Sequence, residues 1–184
     1  MSRYQIAVLV GSIRRDSYNR KLAESLGKML SPEFSSLLVR IDDLPLYNQD
    51  DDDDQADTVK RFKSAIEAAA GLLFVTPEHN RSISAALKNA LDHGSRPYGR
   101  NSWRGKPAGV LGASPGAVGT AVAQQHLRNI LACLDISAMG QPEAFIHVTE
   151  GFFDESGAVA AGSRKFLEKW TARYEAWVRQ HVDR

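Results

Sequence analysis

The sequence predicts a three-layer α/β fold in which a central parallel sheet of five strands lies between two layers of helices. Three observations carry that expectation. Short, β-rich apolar runs recur along the chain, each hands over to a polar or glycine-bearing loop, and each loop is followed by a segment with helical spacing. The runs are almost continuously apolar, the pattern of strands covered on both faces. At 184 residues the chain is long enough for one sizeable core, so one domain over 1–184 is expected.

Ile6-Ala7-Val8-Leu9-Val10 is too short for a helix and stops at Gly11-Ser12, which makes it the first buried strand. From Asn19, the positions Leu22, Ala23, Leu26, Met29 and Leu30 keep one helical face apolar while Lys21, Glu24 and Lys28 face water, and Pro32 marks the stop. Ser36 to Ile41 supplies a weaker second strand that leaves through the irregular Leu44-Pro45-Leu46-Tyr47-Asn48. Asp50 to Asp54 are five consecutive carboxylates; they lack the alternating ligands and turn glycine of a calcium loop and read as a solvated connection to a helix near Thr58 to Ala70. Leu72-Leu73-Phe74-Val75 is the third strand, Ala85 to Asp92 the next helix and Ala108-Gly109-Val110-Leu111 the fourth strand. Thr120 to Leu134 forms a further helix, and Ala144 to Val148 a fifth strand or its second half. Ala160 to Val182 forms a long last helix, in which Phe166, Leu167, Trp170, Tyr174, Trp177 and Val178 recur at helical spacing as a packing stripe.

Charge and cysteine usage narrow the function classes. With 23 basic against 22 acidic residues the chain has no bulk charge for nucleic acid, and 43% apolar content argues against disorder. The single cysteine, Cys133, falls in the apolar run Ile130 to Leu134, reads as buried and has no disulfide partner; a cytoplasmic setting is expected. No apolar run approaches the roughly 20 residues that span a bilayer, and Met1-Ser2-Arg3-Tyr4-Gln5 leads into a strand instead of a signal peptide, so membrane insertion is not expected.

The chemistry lies in three loops. Gly11 to Arg20 sets hydroxyls, an amide and cations immediately before a helix, whose first N–H groups and dipole favour an anion. Ser12, Ser17 and Asn19 are the candidate phosphate donors and Arg14 the candidate charged ligand, although Ser17 or Asn19 could equally cap the helix. The absence of a Gly-Lys-Ser or Gly-Lys-Thr ending and of a three-glycine fingerprint favours a terminal monophosphate over a pyrophosphate. Adenylate, a nicotinamide cofactor and FMN stay open on these residues alone. After the third strand, Thr76-Pro77-Glu78-His79-Asn80-Arg81-Ser82 offers polar backbone to the edge of a planar heterocycle. Glu78 and His79 are adjacent, but one such pair does not make a hydrolytic site. After the fourth strand, Gly112 to Gly119 brings small residues, including Ser114 and Gly116, to the same edge, where a flat ring can approach closely.

Gly11-Ser12-Ile13-Arg14-Arg15-Asp16-Ser17-Tyr18-Asn19, Thr76-Pro77-Glu78-His79-Asn80 and Leu87-Lys88-Asn89-Ala90-Leu91-Asp92, joined by Gly105-Lys106-Pro107 and the Ser114 loop, occur in an order that resembles the NAD(P)H-dependent FMN reductase family, in its quinone and chromate reductase branch. The resemblance runs from about Ile6 to Gly140. It implies a flavodoxin-like fold, non-covalent FMN, NADPH or NADH as reductant, and assembly as a homodimer or homotetramer. It also implies a quinone or another small electron acceptor, with chromate and azo compounds as further acceptors. Ser12, Arg14, Ser17 and Asn19 match the family's phosphate loop; Pro77, Glu78, His79 and Asn80 match its ring-binding loop; Ser114 and Gly116 fall in the second ring-facing loop. No residue is assigned as catalytic, and His79 is the candidate on the acceptor side. Three positions depart from the pattern: His79 for the usual tyrosine, Arg81 for a small residue and His93 for tryptophan. The competing expectation is a flavin-bound redox sensor or electron-transfer module with little steady-state reductase activity.

Overall fold

The computed structural model describes residues 3–183, so Met1 and Ser2, read as part of the lead-in to the first strand, lie outside it. Its elements are β1 (Tyr4–Val10), α1 (Tyr18–Met29), β2 (Phe34–Leu38), α2 (Asp57–Ala68), β3 (Gly71–Val75), α3 (Ala85–Ser95), β4 (Pro107–Ser114), α4 (Ala121–Cys133), β5 (Ser137–Ala138), β6 (Phe145–His147) and α5 (Ala161–Val182). All strand pairs are parallel, in the order β2-β1-β3-β4, and β5 and β6 both pair with β4. β5 pairs with Pro107-Ala108 and β6 with Gly112 to Ser114, so the two short pieces occupy one edge position of a five-position sheet. This is the flavodoxin-like arrangement that the alternation of elements predicts, with the last strand broken in two.

The sheet separates two apolar layers. On one side Ile6, Val8, Val10, Leu73, Val75 and Leu111 pack with α1 and α5; on the other Ala7, Leu9, Leu72, Phe74 and Val110 pack with α2, α3 and α4. Successive residues of each central strand thus point to opposite layers, and both faces are dry, which explains the unbroken apolar runs. The aromatic stripe of α5 divides. Leu167, Trp170, Tyr174 and Val178 are buried, and Tyr174 Oη donates to the Leu72 carbonyl at 2.8 Å, where burial pushes its phenol well up from its ordinary pKa. Phe166 lies off that face and is 45% exposed.

Several boundaries move from the expectations. The second strand is Phe34–Leu38 instead of Ser36 to Ile41, because only Phe34 to Leu38 lie in register with Tyr4 to Val8 of β1. Val39 adds one further backbone bond to Val8, and Ile41 is buried in the α2 layer without belonging to a strand. Asp50 to Asp54 form a solvent-facing connection containing a 3₁₀ turn over Gln49–Asp51. Cys133 is exposed, contrary to expectation: Ala123, Leu127 and Leu131 mark the inward face of α4 at four-residue spacing, and Cys133, two positions on, turns outward. Lys106, in the Gly-Lys-Pro segment, donates from Nζ to the Glu67 and Ala69 carbonyls and closes the C-terminus of α2; burial holds its ammonium below its ordinary pKa.

One side chain ties the first helix to the sheet. Asn19 is buried; its Nδ2 donates to the Ala113 carbonyl and its Oδ1 accepts from the Ala113 N–H, both at 2.9 Å. Replacing it strands both backbone groups of Ala113 in the core. Asn19→Ala is therefore expected to lower stability by about 2–4 kcal/mol, counting two buried groups left without partners. Urea denaturation measures this, and a loss below about 1 kcal/mol would show that the backbone relaxes or that water replaces the amide.

Candidate functional site

Three loops meet at the carboxyl ends of β1, β3 and β4, the edge where doubly wound sheets bind ligands. The first and second are locked together: the Gly11 N–H donates to the Val75 carbonyl at 2.9 Å, and Ser84 Oγ donates to the Gly11 carbonyl at 2.5 Å while accepting from the Leu87 N–H to cap α3. The second also touches the end of β4, which leads into the third. The Thr76 N–H donates to the Leu111 carbonyl, and Gly112 passes so close to the Thr76 carbonyl that a Cβ there would lie 2.1 Å from its oxygen. Only glycine fits at 112.

In the first loop Ser17 is the N-cap of α1, its Oγ accepting from the Arg20 N–H at 3.2 Å. Asn19 spends its amide on Ala113, so what it offers an anion is its backbone N–H, beside that of Tyr18, in the first turn. Ser12 is half-buried, and Arg14 and Arg15 are exposed with no ion pair or hydrogen bond to other described residues. A helix N-terminus without acidic residues in its first turn and two uncommitted guanidinium groups leave this end electropositive. Next to it, a crevice of about 170 Å³ runs from Ser12 and Arg20 to Arg40 and Asp42, where the Arg40 guanidinium holds the Asp42 carboxyl below the usual carboxylate range.

The second and third loops border an open cavity of about 290 Å³ lined by Glu78, Asn80, Arg81, Ser114, Gly116, Val118, Gly119 and Thr120. Of the predicted ring-loop residues it gathers Glu78, Asn80, Ser114 and Gly116; Pro77 is buried beneath, and His79 is exposed on the turn. The turn is a paired one, with the His79 N–H donating to the Ser82 carbonyl and the Ser82 N–H to the His79 carbonyl. Asn80 and Arg81 both have left-handed φ, 51° and 66°, as a two-residue hairpin turn requires. Asparagine tolerates that conformation, whereas arginine there costs on the order of 1 kcal/mol. Across the cavity Gly119 (φ 58°) and Thr120 (φ 71°) are left-handed as well, so the opposing wall is also held in an uncommon conformation.

Sequence reasoning missed three things here. Glu78 is a helix cap: its Oε2 accepts from the Val122 and Ala123 N–H groups at 3.1 and 3.0 Å, because Thr120, in the left-handed region, gives α4 no side-chain cap of its own. Thr120, read as the start of the next helix, lines the cavity beside Val118 and Gly119 of the predicted loop. Gly112 to Ser114 belong to β4, so the third loop begins at Pro115. A separate cavity of about 260 Å³, lined by Tyr47, Asp52, Gln55 and His93 among others, contains nothing from these loops. His93, the departure from tryptophan, is buried there, donating from Nε2 to the Pro45 carbonyl at 2.8 Å and meeting the Tyr47 ring edge-on.

Residues 4–151 match the model of the family described as NADPH-dependent FMN reductase. The chain belongs to that family. It is 49% identical over 176 residues to a 2-hydroxy-1,4-benzoquinone reductase from Burkholderia sp., covering 95% of this chain and 96% of that protein. It is 44% identical over 177 residues to a quinone reductase from Pseudomonas putida, covering 96% and 95% of the two chains. Among solved structures it is similar to FerB, a flavoenzyme NAD(P)H:(acceptor) oxidoreductase from Paracoccus denitrificans, with a TM-score of 0.92, 41% identity, and coverage of 97% and 98%.

The residues at this sheet edge fit the family's flavin. An electropositive helix start suits a terminal phosphate, and an open cavity with polar side chains on one wall and small residues on the other suits a planar ring. The Glu78 cap generates the next expectation. Glu78→Ala should cost about 1 kcal/mol, a fall in Tm of about 2–4 °C for a chain of this length. Glu78→Gln, which keeps an acceptor oxygen, should retain most of that stability in the same melting experiment, and equal losses in the two variants would remove the capping role.

Proposed function

We propose that the whole chain is one FMN-binding domain whose first loop holds the phosphate of the cofactor and whose second and third loops hold its ring. The chain is an FMN-dependent NAD(P)H oxidoreductase acting on quinones. The observation that carries the residue assignment is the meeting of Asn80 and Arg81 from one loop with Ser114, Gly116 and Gly119 from the other around a single cavity, with Asn19 of the α1 N-terminus bonded to Ala113, the neighbour of Ser114.

Bound FMN would supply the redox chemistry, accepting a hydride from reduced nicotinamide and returning electrons to the acceptor. The protein's part is binding and orientation. The Tyr18 and Asn19 N–H groups, with Ser12 and Arg14, neutralise and position the phosphate. Ser17 acts through the helix it caps. Ser114 Oγ accepts from the Gly116 N–H at 3.0 Å and thereby shapes the wall against which the ring lies. Pro77 supports the second loop from beneath, and Glu78 fixes it to α4 through Oε2. His79 presents its ring to solvent at the mouth, where it meets the acceptor. NADPH or NADH serves as reductant, and a quinone or another small acceptor, chromate and azo compounds included, follows it at the same open face.

No helix among the described residues is long and apolar enough to cross a membrane. The protein works in the cytoplasm as a homodimer or homotetramer; Leu46 and Tyr98, 85% and 92% exposed, give such an assembly apolar surface to bury.

An absorption spectrum of FMN-reconstituted protein, followed by anaerobic NADPH titration, tests this function. Bound flavin should bleach with NADPH and recover on adding benzoquinone. Failure to bind FMN overturns the site, whereas bound FMN that NADPH leaves oxidised returns the redox-sensor or electron-transfer reading. Arg14→Ala should weaken FMN binding about tenfold, the low end for a charge-assisted contact because the side chain is exposed. Hydride transfer at saturating FMN should change little by comparison. Unaltered FMN affinity in a fluorescence titration would remove Arg14 from the phosphate site.

A further inference from the structure

The turn that closes one wall of the ring cavity has little behind it. Asn80 and Arg81 face the cavity of about 290 Å³, while Ser82 and Ile83 line a second cavity of about 320 Å³, together with Lys88, His126 and Ile130. The turn is thus a thin partition between two spaces. Its two central residues are left-handed, a conformation that neither a packed side chain nor a glycine stabilises.

Two contacts from α4 hold it. At the near end Glu78 receives the Val122 and Ala123 N–H groups. At the far end Ser82 Oγ lies 2.8 Å from His126 Nδ1. His126 is one helical turn beyond Val122, so one face of α4 grips the segment on both sides of the strained pair. The hydroxyl can donate to or accept from the ring nitrogen, so the contact does not depend on one tautomer. Ser82 in turn makes both backbone bonds to His79 that close the turn.

We propose that His126, through Ser82, is the positioning residue that fixes the His79–Ser82 turn against the ring cavity. His126 takes no part in electron transfer. The assignment rests on the reading of that cavity as the ring site, but the order of the turn is measurable without cofactor.

The test compares the parent with His126→Phe, His126→Asn, Ser82→Ala and the Ser82→Ala/His126→Phe pair. Amide hydrogen exchange over residues 78–83 is measured first in flavin-free protein. His126→Phe and Ser82→Ala should each speed exchange of the His79 and Ser82 amides about fivefold, and the double variant should be no faster than either single one. His126→Asn, whose side-chain oxygen can accept from the same hydroxyl, should stay within about twofold of the parent. FMN affinity and the KM for benzoquinone should follow the same order, with kcat at saturation moved less. Unchanged exchange in His126→Phe, multiplicative effects in the double variant, or faster exchange spread over the whole chain would each overturn the inference. A local rise in exchange with FMN affinity unmoved would support the contact and count against the ring reading of the cavity.

Discussion

The site depends on the exit of β3 from the sheet, and the Asn19 amide makes that exit tolerable. In a parallel ladder each strand supplies partners to its neighbour at every second residue. β3 does this for β4 as far as Thr76, whose N–H reaches the Leu111 carbonyl. The next ladder position on β4 is Ala113, where β3 has already turned away at Pro77. Asn19 reaches in from α1 and bonds both the N–H and the C=O of Ala113, the two groups a continued β3 would have paired. A side-chain amide is chemically the same donor and acceptor as a peptide, so β4 runs on to Ser114 with both backbone groups of Ala113 paired.

That substitution separates two demands which would otherwise conflict. β4 must extend beyond its neighbour to carry Ser114 and the small residues after it to the edge, and the chain after β3 must be free to form a turn. With Ala113 satisfied from α1, the 78–82 segment has no ladder duty and is secured by α4 instead. The same amide also fixes the start of α1 relative to β4, and hence the end proposed for phosphate relative to the end proposed for the ring. Local disorder at Asn19 would therefore blur the spacing between the two halves of a ligand, a larger effect than losing one contact to either.

Much of this was legible in the residues. Continuous apolar runs located β1, β3 and β4 to within a few positions because strands buried on both faces have no polar alternation to confuse the reading. The loops that matter were found for a related reason: glycine, proline and hydroxyl residues between apolar runs have few roles other than turning the chain or meeting a ligand. What escaped was everything decided by partners distant in sequence. Asn19 looked like a phosphate donor because its neighbours do, and its 94-residue reach to Ala113 leaves no local mark. Glu78 was read as a residue of the ring-binding loop, and only the left-handed Thr120, which leaves α4 without a side-chain cap of its own, explains its use as a cap. β2 slid by about two residues because register with β1, not local apolarity, ends it. Cys133 was misread because an apolar run in a helix is buried on one face only.

The departures at His79, Arg81 and His93 become intelligible on the same terms. His79 contributes both backbone groups to the paired turn, and those bonds are indifferent to the side chain, so tyrosine and histidine alike preserve the turn. Arg81 is costlier, since its backbone conformation favours glycine or asparagine, and the grip of α4 on Glu78 and Ser82 is what keeps it there. His93 lies in another part of the molecule, where its ring holds the Pro45 carbonyl and the Tyr47 edge and so fixes the loop after β2. Binding carried mainly by backbone tolerates side-chain change at the rim but not at the residues that set the backbone. By that criterion Asn19 and Gly112, neither of which lines the cavity, and Glu78, whose Oε2 is spent on capping α4, constrain the shape of this site more tightly than the exposed side chains of His79 and Arg81.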